Sequence, residues 1–262
     1  MKESDCGMNN RETNELIEEK IDYTINWLRE QVYVSGTQGL VLGVSGGIDS
    51  AVVANLIKRA YPNNSLGVIL PIKSSEADKT DGLAVVRKAD LKSIIINLDD
   101  EHKAVFEKTI SELIGLELYN EEKKRITDAN LRARLRMSTI YAIANQLNYL
   151  VVGTDNAAEL YTGYFTKYGD GGVDLLPIAT LKKYEVNDWA KHLGVPNEII
   201  ERKPSAGLWE GQTDEKEMGT TYNYIDALLE GKHIPCDHRD IIERLHKNSK
   251  HKRIMPPYPT FD

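Results

Sequence analysis

Hydrophobic positions along the chain alternate between two spacings. Short runs that are apolar at nearly every position predict buried strands at 39–44, 66–70, 93–98 and 149–152. Helical spacing of apolar residues predicts helices at about 13–31, 51–60, 76–88, 101–114, 130–147, 181–192, 215–230 and 237–248. Strands that are apolar on both faces and alternate with helices predict a parallel sheet covered on both sides, with right-handed crossovers.

The organisation of the chain is simple. Neither an internal repeat, a low-complexity segment nor a linker divides the 262 residues. We therefore predict a single domain over 1–262, with 1–12 disordered because this stretch is polar, and with 250–262 as an irregular tail that holds three prolines.

Composition narrows the class of protein. Hydrophobic residues make up 41% of the chain and charged residues 28%, which is typical of a soluble globular domain. The net charge of -7 argues against a nucleic-acid-binding protein. The first twenty residues lack an apolar core, and no run is long enough to span a membrane, so we expect neither a signal peptide nor membrane insertion. The two cysteines form no CxxC pair, and reduced thiols indicate a cytoplasmic protein.

A glycine loop follows the first predicted strand, with the sequence SGGIDS at 45–50. Gly46 and Gly47 allow the backbone to approach a ligand, and the N–H groups of the following helix start favour an anion. No lysine follows, so this is not a Walker A loop, and GxGxxG is absent. A carboxylate beside a polyphosphate needs a cation between them, so Asp49 indicates a Mg²⁺ ligand. The alternative is that Asp49 only caps the helix.

This strand–SGGIDS–helix unit resembles the pyrophosphate loop of the N-type ATP pyrophosphatases. That superfamily includes NAD synthetases, GMP synthetases, asparagine synthetases and tRNA-thiolating enzymes. The resemblance implies a Rossmann-like doubly wound parallel sheet flanked by helices, of the adenine nucleotide alpha hydrolase-like type. It also implies cleavage of ATP to AMP and pyrophosphate.

Two stretches of the second half resemble one member of that superfamily more specifically. GTDNAAE at 153–159 and GYFTKYGDGG at 163–172 are similar to NAD synthetase, and the likeness extends nearly to the C-terminus. That family is a carbon–nitrogen ligase that joins the nicotinate carboxylate of deamido-NAD to ammonia through a deamido-NAD adenylate, the final step of NAD biosynthesis. The family is usually a homodimer, so the resemblance implies a homodimer here.

The resemblance implies roles for individual residues, matched by motif. The ATP site would comprise Gly43, Val44, Ser45, Gly46, Gly47, Ile48, Asp49, Ser50, Thr154, Lys183 and Ser205, the last standing where many members have threonine. The deamido-NAD site would comprise Arg134, Lys167, Asp174, His251 and Lys252. Asp49 and Glu159 would hold Mg²⁺, and Asp49, Asp174 and Lys183 would be catalytic.

The required chemistry agrees with these residue types. An anionic carboxylate must attack an anionic α-phosphate, and Mg²⁺ with lysine can neutralise that charge. The second step needs neutral ammonia, so we expect a water-poor pocket with Asp174 as proton acceptor. Simpler interpretations exist: Glu159 on a solvated helix face, Arg134 paired with surface carboxylates, and 250–253 as a solvated basic tail.

The nitrogen source is predicted to be free ammonia. The stretch 204–215 is similar to the synthetase part of longer, glutamine-dependent enzymes. The residues before the loop are too few for an amidase domain, and Cys6 lies in a polar stretch. A glutaminase on a separate chain remains an alternative.

Two other functions compete with this interpretation. One is a different adenylylating enzyme, such as a GMP synthetase ATPase subunit or a tRNA-thiolating enzyme. The other is a nucleotide-binding module without catalysis, against which the two candidate metal carboxylates, Asp49 and Glu159, argue. Within the helix at 130–147 the apolar surface is broad enough for either a core or a subunit interface.

Overall fold

The computed structural model describes residues 4–205 and 211–261. The strands are β1 (Gly39–Gly43), β2 (Ser65–Ile69), β3 (Lys92–Ile95) and β4 (Tyr149–Val152). The helices are α1 (Ser4–Ser35), α2 (Ile48–Ala60), α3 (Glu76–Lys88), α4 (Asp99–Gly115), α5 (Lys124–Leu147), α6 (Ala157–Thr162), α7 (Lys183–His192), α8 (Asn197–Ile200), α9 (Asp214–Met218), α10 (Tyr222–Leu229) and α11 (Cys236–Asn248). Short 3₁₀ turns cover Glu121–Lys123 and Lys250–Lys252.

The strands form one parallel sheet in the order β3-β2-β1-β4. Consecutive residues of β1 point to opposite faces, which explains why the strand is apolar throughout. Leu40 and Leu42 pack into the cluster built mainly from α1, α2 and α7, whereas Val41 packs into the cluster that contains α5. The predicted α/β fold with helices on both faces is confirmed.

The C-terminal helices form a third apolar cluster beside the sheet. Ala158 of α6 packs with Met218, Tyr222, Ile225 and Ile242 from α9, α10 and α11. This cluster places the start of α7 and the loop before α9 opposite the carboxyl ends of the strands. The far wall of a cleft is thereby built from residues more than a hundred positions after the glycine loop.

Several element boundaries differ from the predicted ones. The single helix predicted over 215–230 is two helices, because Gly219 takes a left-handed conformation at φ 74° and ends α9. Helix α1 begins at Ser4 and so includes most of the stretch predicted to be disordered, since extending a formed helix needs little extra free energy. The tail predicted to be irregular over 250–262 begins with the 3₁₀ turn Lys250–Lys252, and 255–261 have no regular structure. Among the helices described, none is both long and apolar enough to cross a bilayer.

Candidate active site

The carboxyl ends of the strands open into a cleft of about 620 Å³. Such crevices are where ligands bind in open α/β sheets. The predicted site residues that line it are Gly43, Val44, Ser45, Gly47, Ile48, Asp49, Thr154, Glu159, Lys183, Ser205 and Lys252. The predicted residues outside its lining are Gly46, Ser50, Arg134, Lys167, Asp174 and His251.

The glycine loop has the backbone geometry of a ligand cradle. Gly46 has φ +85°, and a Cβ there would lie 2.7 Å from Asp81 Cβ and 2.9 Å from the nitrogen of Gly82. No other residue type fits that position without strain. Helix α2 follows with Gly47 as its N-cap, and no side chain caps it. The start of α2 therefore presents uncapped N–H groups beside the cleft, and Asp49 is not a helix cap.

Asp49, Lys183 and Glu159 meet beside this loop. The ammonium of Lys183 donates to Asp49 Oδ2 at 2.6 Å and lies 3.8 Å from Glu159 Oε1. All three side chains are at least four-fifths buried. Burial opposes the charge on Lys183, but Asp49 and Glu159 hold its pKa above the ordinary value. Burial and the charge of Asp49 raise the pKa of Glu159, against the opposing charge of Lys183.

Asn156 connects the two acidic side chains, and its role was missed in the sequence. Its side-chain nitrogen donates to Asp49 Oδ1 at 2.9 Å, and its backbone N–H donates to Glu159 Oε2 at 3.0 Å. Its side-chain oxygen caps α6 by accepting from the N–H groups of Ala158 and Glu159. The spacing of Asn156 and Glu159 is the signal that could have revealed this, since Asn-x-x-Glu is a capping-box pattern.

The hydroxyl of Tyr222 lies between the carboxylates of Glu159 and Asp214. Tyr222 is 4% exposed, and its hydroxyl lies 3.0 Å from Asp214 Oδ2 and 3.3 Å from Glu159 Oε1. Burial and the charges of Glu159 and Asp214 raise the pKa of Tyr222, so the phenol keeps its proton and donates it. The ring of Tyr222 also lies under the ammonium of Lys183, 4.9 Å from the centroid.

The donor set in this corner fits Mg²⁺. Asp49 and Glu159 follow different strands, and both carboxylates approach the ammonium of Lys183. Mg²⁺ is commonly bound by one or two carboxylates together with substrate phosphates. Over the described ranges, no cluster of three or more His, Cys, Asp or Glu side chains is placed to hold a metal ion. Phosphate oxygens and water would therefore complete the coordination shell.

A second acidic pair, Asp155 and Asp170, also lines the cleft and was not assigned from the sequence. Asp155 is 5% exposed, and within the part of the chain described its Oδ2 has no hydrogen-bond partner. Asp170 accepts from the backbone N–H of Thr166 at 2.9 Å. Burial raises the pKa of both carboxyls, and the charge of Asp170 raises that of Asp155 further, whereas Lys252 opposes both shifts.

Four of the five predicted deamido-NAD residues lie close together beside the cleft. Arg134 donates to the backbone oxygen of Lys167 at 3.3 Å, and Lys167 Nζ donates to the backbone oxygen of His251 at 2.7 Å. Lys252, next in sequence, lines the cleft and donates to the backbone oxygen of Gly163 at 2.7 Å. These contacts join α5, the loop after α6 and the C-terminal tail.

Asp174 lies beside β4, apart from these residues. Its carboxylate accepts from the backbone N–H of Val151 at 2.8 Å and from the hydroxyl of Tyr141 at 2.9 Å. One oxygen therefore serves the edge strand β4 and the other serves α5. The position does not favour the predicted proton-acceptor role, because Asp174 does not line the cleft and both its oxygens are already hydrogen-bonded.

The loop before α9 borders the other side of the cleft. Ser205 and Arg202 line it, and Arg202 pairs with Asp78 at 2.5 Å and with Asp81 on α3. Within the stretch that resembles glutamine-dependent enzymes, 206–210 lie outside the described residues. Beyond this gap Gln212 donates to Glu217 at 2.8 Å and to the hydroxyl of Tyr164 at 3.1 Å.

The parallel sheet, the glycine loop and the charged cluster facing it define an ATP-using α/β enzyme of the ligase type. The family model of NAD synthase matches residues 20–256, and the chain belongs to this family. It is 66% identical to the NH₃-dependent NAD⁺ synthetase of Alkaliphilus metalliredigens, over 92% of this chain and 97% of that protein. It is 63% identical to the protein of the same description from Alkaliphilus oremlandii, over 93% of this chain and 97% of that one.

Solved structures agree with this membership. The structure of NMN synthetase from Francisella tularensis matches with a TM-score of 0.87 and 39% identity, covering 94% of this chain and 99% of that one. The family assignment and the fold expected from the sequence are confirmed. The roles of individual site residues stay predictions.

Proposed function

We propose that this chain amidates deamido-NAD with ammonia and ATP, giving NAD, AMP and pyrophosphate. The observation that carries the proposal is the buried cluster of Asp49, Lys183 and Glu159 beside a glycine loop. That cluster has the charges needed to bring a carboxylate and a triphosphate together. Membership of the NAD synthase family agrees with it.

The first step joins two anions, and the cleft supplies the positive charge. The nicotinate carboxylate oxygen attacks the α-phosphorus of ATP, forming an acyl adenylate and releasing pyrophosphate. The N–H groups at the start of α2 and the ammonium of Lys183 would bind the phosphates. Mg²⁺ held by Asp49 and Glu159 would neutralise phosphate charge as the pyrophosphate leaves.

The second step needs neutral ammonia rather than the ammonium ion as nucleophile. We assign the proton-acceptor role to Asp155 and Asp170, rather than to Asp174, because they line the cleft and burial raises the pKa of both carboxyls above the ordinary value. An ammonium ion held between the two carboxylates would give one proton to them. The resulting ammonia then attacks the adenylate carbonyl, AMP leaves, and the amide nitrogen loses a second proton.

A smaller substrate is a second candidate, and one observation favours it. The Francisella tularensis structure of TM-score 0.87 is described as an NMN synthetase. The same adenylylation and amidation on nicotinate mononucleotide would give NMN. The two functions differ only in whether the cleft requires the adenylate half of the dinucleotide.

One assay tests the proposal and separates these candidates. Purified protein receives ATP, Mg²⁺ and ammonium chloride with either deamido-NAD or nicotinate mononucleotide, and pyrophosphate and the amide product are quantified. We expect pyrophosphate and NAD in equal amounts with deamido-NAD, and no product with glutamine in place of ammonium. Amide formation only from the mononucleotide would favour the second candidate. Pyrophosphate release without either substrate would contradict both.

The chain also has a surface suited to a homodimer. Strand β3 is at an edge of the sheet, and α4 buries only His102 along its length. The exposed apolar residues of this region are Ile94, Ile95, Val105, Ile114, Leu116, Leu118 and Ile126. Several exposed apolar residues on one part of the chain are typical of a subunit interface, and we infer that two copies pair through this region. A cytoplasmic location stays a prediction.

A further inference from the structure

One oxygen of each candidate metal ligand is held by a single neutral residue. Asn156 fixes Asp49 Oδ1 through its side-chain amide and Glu159 Oε2 through its backbone N–H. Asn156 is itself fully buried, and its side-chain oxygen is engaged in capping α6. The positions of both carboxylates are thus set by a neutral residue that needs no cation.

The remaining oxygen of each carboxylate faces Lys183. The ammonium lies 2.6 Å from Asp49 Oδ2 and 3.8 Å from Glu159 Oε1, and the ring of Tyr222 bounds it on another side. One lysine charge therefore faces two buried carboxylates. A divalent cation bound by the same two oxygens would lie within a few ångströms of the ammonium, where like charges repel strongly.

We propose that Asn156 is the positioning residue of a divalent-cation site, and that Lys183 competes with the cation for Asp49 Oδ2 and Glu159 Oε1. Binding of the cation displaces the ammonium towards the open cleft, where the phosphates of ATP can receive it. Metal binding and the availability of Lys183 for phosphate are then coupled. This inference rests on the metal ligands of the proposed function.

Binding of Mn²⁺ without ATP tests the competition directly, with the free ion followed by electron paramagnetic resonance. Lys183→Met removes the competing charge, and we expect Mn²⁺ to bind at least about tenfold more tightly although turnover is lost. Asn156→Ser keeps a cap for α6 but loses the amide that holds Asp49, and we expect affinity to fall about 10- to 100-fold. Lys182→Met is the matched control, because Lys182 pairs with Glu185 and Glu230 outside the cleft.

The outcomes separate this inference from the proposed function. Unchanged or weaker Mn²⁺ binding by Lys183→Met overturns the competition, even where the wild-type chain makes NAD. Absence of Mn²⁺ binding in every variant overturns the metal site as well. NAD synthesis by the wild type is measured separately, so loss of the function is recognised independently of metal affinity.

The wild-type chain gives a second measurement in case Lys183→Met does not fold. The rate at which acetic anhydride acetylates Lys183 is followed by mass spectrometry with and without Mg²⁺. We expect Mg²⁺ to accelerate this modification, since the ammonium leaves a buried ion pair, and to leave the rate at Lys182 unchanged. Protection of Lys183 by Mg²⁺ would overturn the inference.

Discussion

Lys183 Nζ and Asp49 Oδ2 lie 2.6 Å apart, although 134 positions separate the two residues. Asp49 is in the first turn of α2, directly after the glycine loop, and Lys183 is the first residue of α7. The contact therefore joins the glycine-loop side of the cleft to the side built by the C-terminal helices. This ion pair links the two sides at the place where the proposed chemistry occurs.

The first prediction concerns Asp49. Asp49→Asn keeps the shape of the side chain but removes the charge that Lys183 and a metal ion need. We expect kcat/KM to fall at least about 100-fold, with a higher Mg²⁺ concentration needed for half-maximal activity. Steady-state pyrophosphate release at varied Mg²⁺ measures both. Asp90→Asn is the control, because the side chain of Asp90 is 95% exposed and pairs with Lys58 away from the cleft. An equal loss of activity in that variant would contradict the role assigned to Asp49.

The second prediction distinguishes the acidic pair from Asp174. Asp170→Asn should lower kcat/KM for ammonium about 100-fold while a first turnover of pyrophosphate release persists, because the adenylate still forms. Asp174→Asn should retain the ammonium dependence, since its carboxylate serves Val151 and Tyr141. Rapid-quench measurement of pyrophosphate and NAD separates the two steps. If Asp174→Asn lost the ammonium step and Asp170→Asn kept it, the proton-acceptor role predicted for Asp174 from the sequence would be supported instead.

The sequence predicted the sheet well for a physical reason. A strand buried on both faces needs apolar residues at nearly every position, and this pattern marked β4 at its observed bounds and β1 within one residue. Edge strand β3 was predicted correctly as a strand but too long. Beyond Ile95 the pairing continues only as single hydrogen bonds from the N–H groups of Ile96 and Leu98 to the oxygens of Ile69 and Pro71. Helix α10 was merged with α9, because the effect of Gly219 depends on its backbone conformation.

The sequence predicted only part of the candidate site. Asp49, Glu159 and Lys183 come together as the motifs implied. Asp155 and Asp170 were missed, because a carboxylate becomes unusual only when the fold buries it, and burial depends on segments far apart in the chain. The placement of Asp174 likewise depends on its pairing with β4, which no local pattern reveals.

The third prediction concerns pH and a buried histidine outside the cleft. His102 is fully buried, with Asp128 3.4 Å from its Nε2 and with Lys73, Arg132 and Asp99 nearby. Burial lowers the pKa of His102 below its ordinary 6.5, and the charge of Asp128 opposes this only in part. The folded state then binds fewer protons than the unfolded state, so stability falls as pH drops below 6.5.

His102→Gln should remove that part of the pH dependence. We expect the wild type to lose roughly 1 to 2 kcal/mol more than the variant between pH 7.5 and pH 5, with unfolding by urea measured at one protein concentration. His233→Gln is the control, because His233 is exposed. Equal pH slopes for the wild type and His102→Gln would show that the buried imidazole does not titrate in this way.

The fourth prediction tests the proposed dimer. Ile114 and Leu118 are 55% and 68% exposed on the apolar surface formed by β3, α4 and the start of α5. Replacing both by glutamate places unpaired charge in the interface, so the assembly should dissociate at micromolar concentration. Analytical ultracentrifugation should give twice the chain mass of 29.5 kDa for the wild type and a single chain for the variant. Tyr33→Glu, at an exposed position on α1, should stay dimeric.

The fifth prediction uses the two glycines of the loop, which differ in what they require. A Cβ on Gly46 meets Asp81 and Gly82 at under 3 Å, and its φ of +85° disfavours any L side chain, so Gly46→Ala should lower stability by at least about 1 to 2 kcal/mol. A Cβ on Gly47 has only Ser45 Oγ at 3.4 Å, and no positive φ, so Gly47→Ala should leave the unfolding midpoint almost unchanged.

Activity should separate the two substitutions in a different way. Gly47 lines the cleft, where a phosphate must approach the backbone, so the added methyl of Gly47→Ala should raise KM for ATP about tenfold or more in a normally stable protein. Thermal unfolding and ATP saturation curves measure both effects. A Gly47→Ala variant with unchanged stability and wild-type KM would show that the loop does not bind ATP through its backbone, because close approach at Gly47 is what that mode of binding requires.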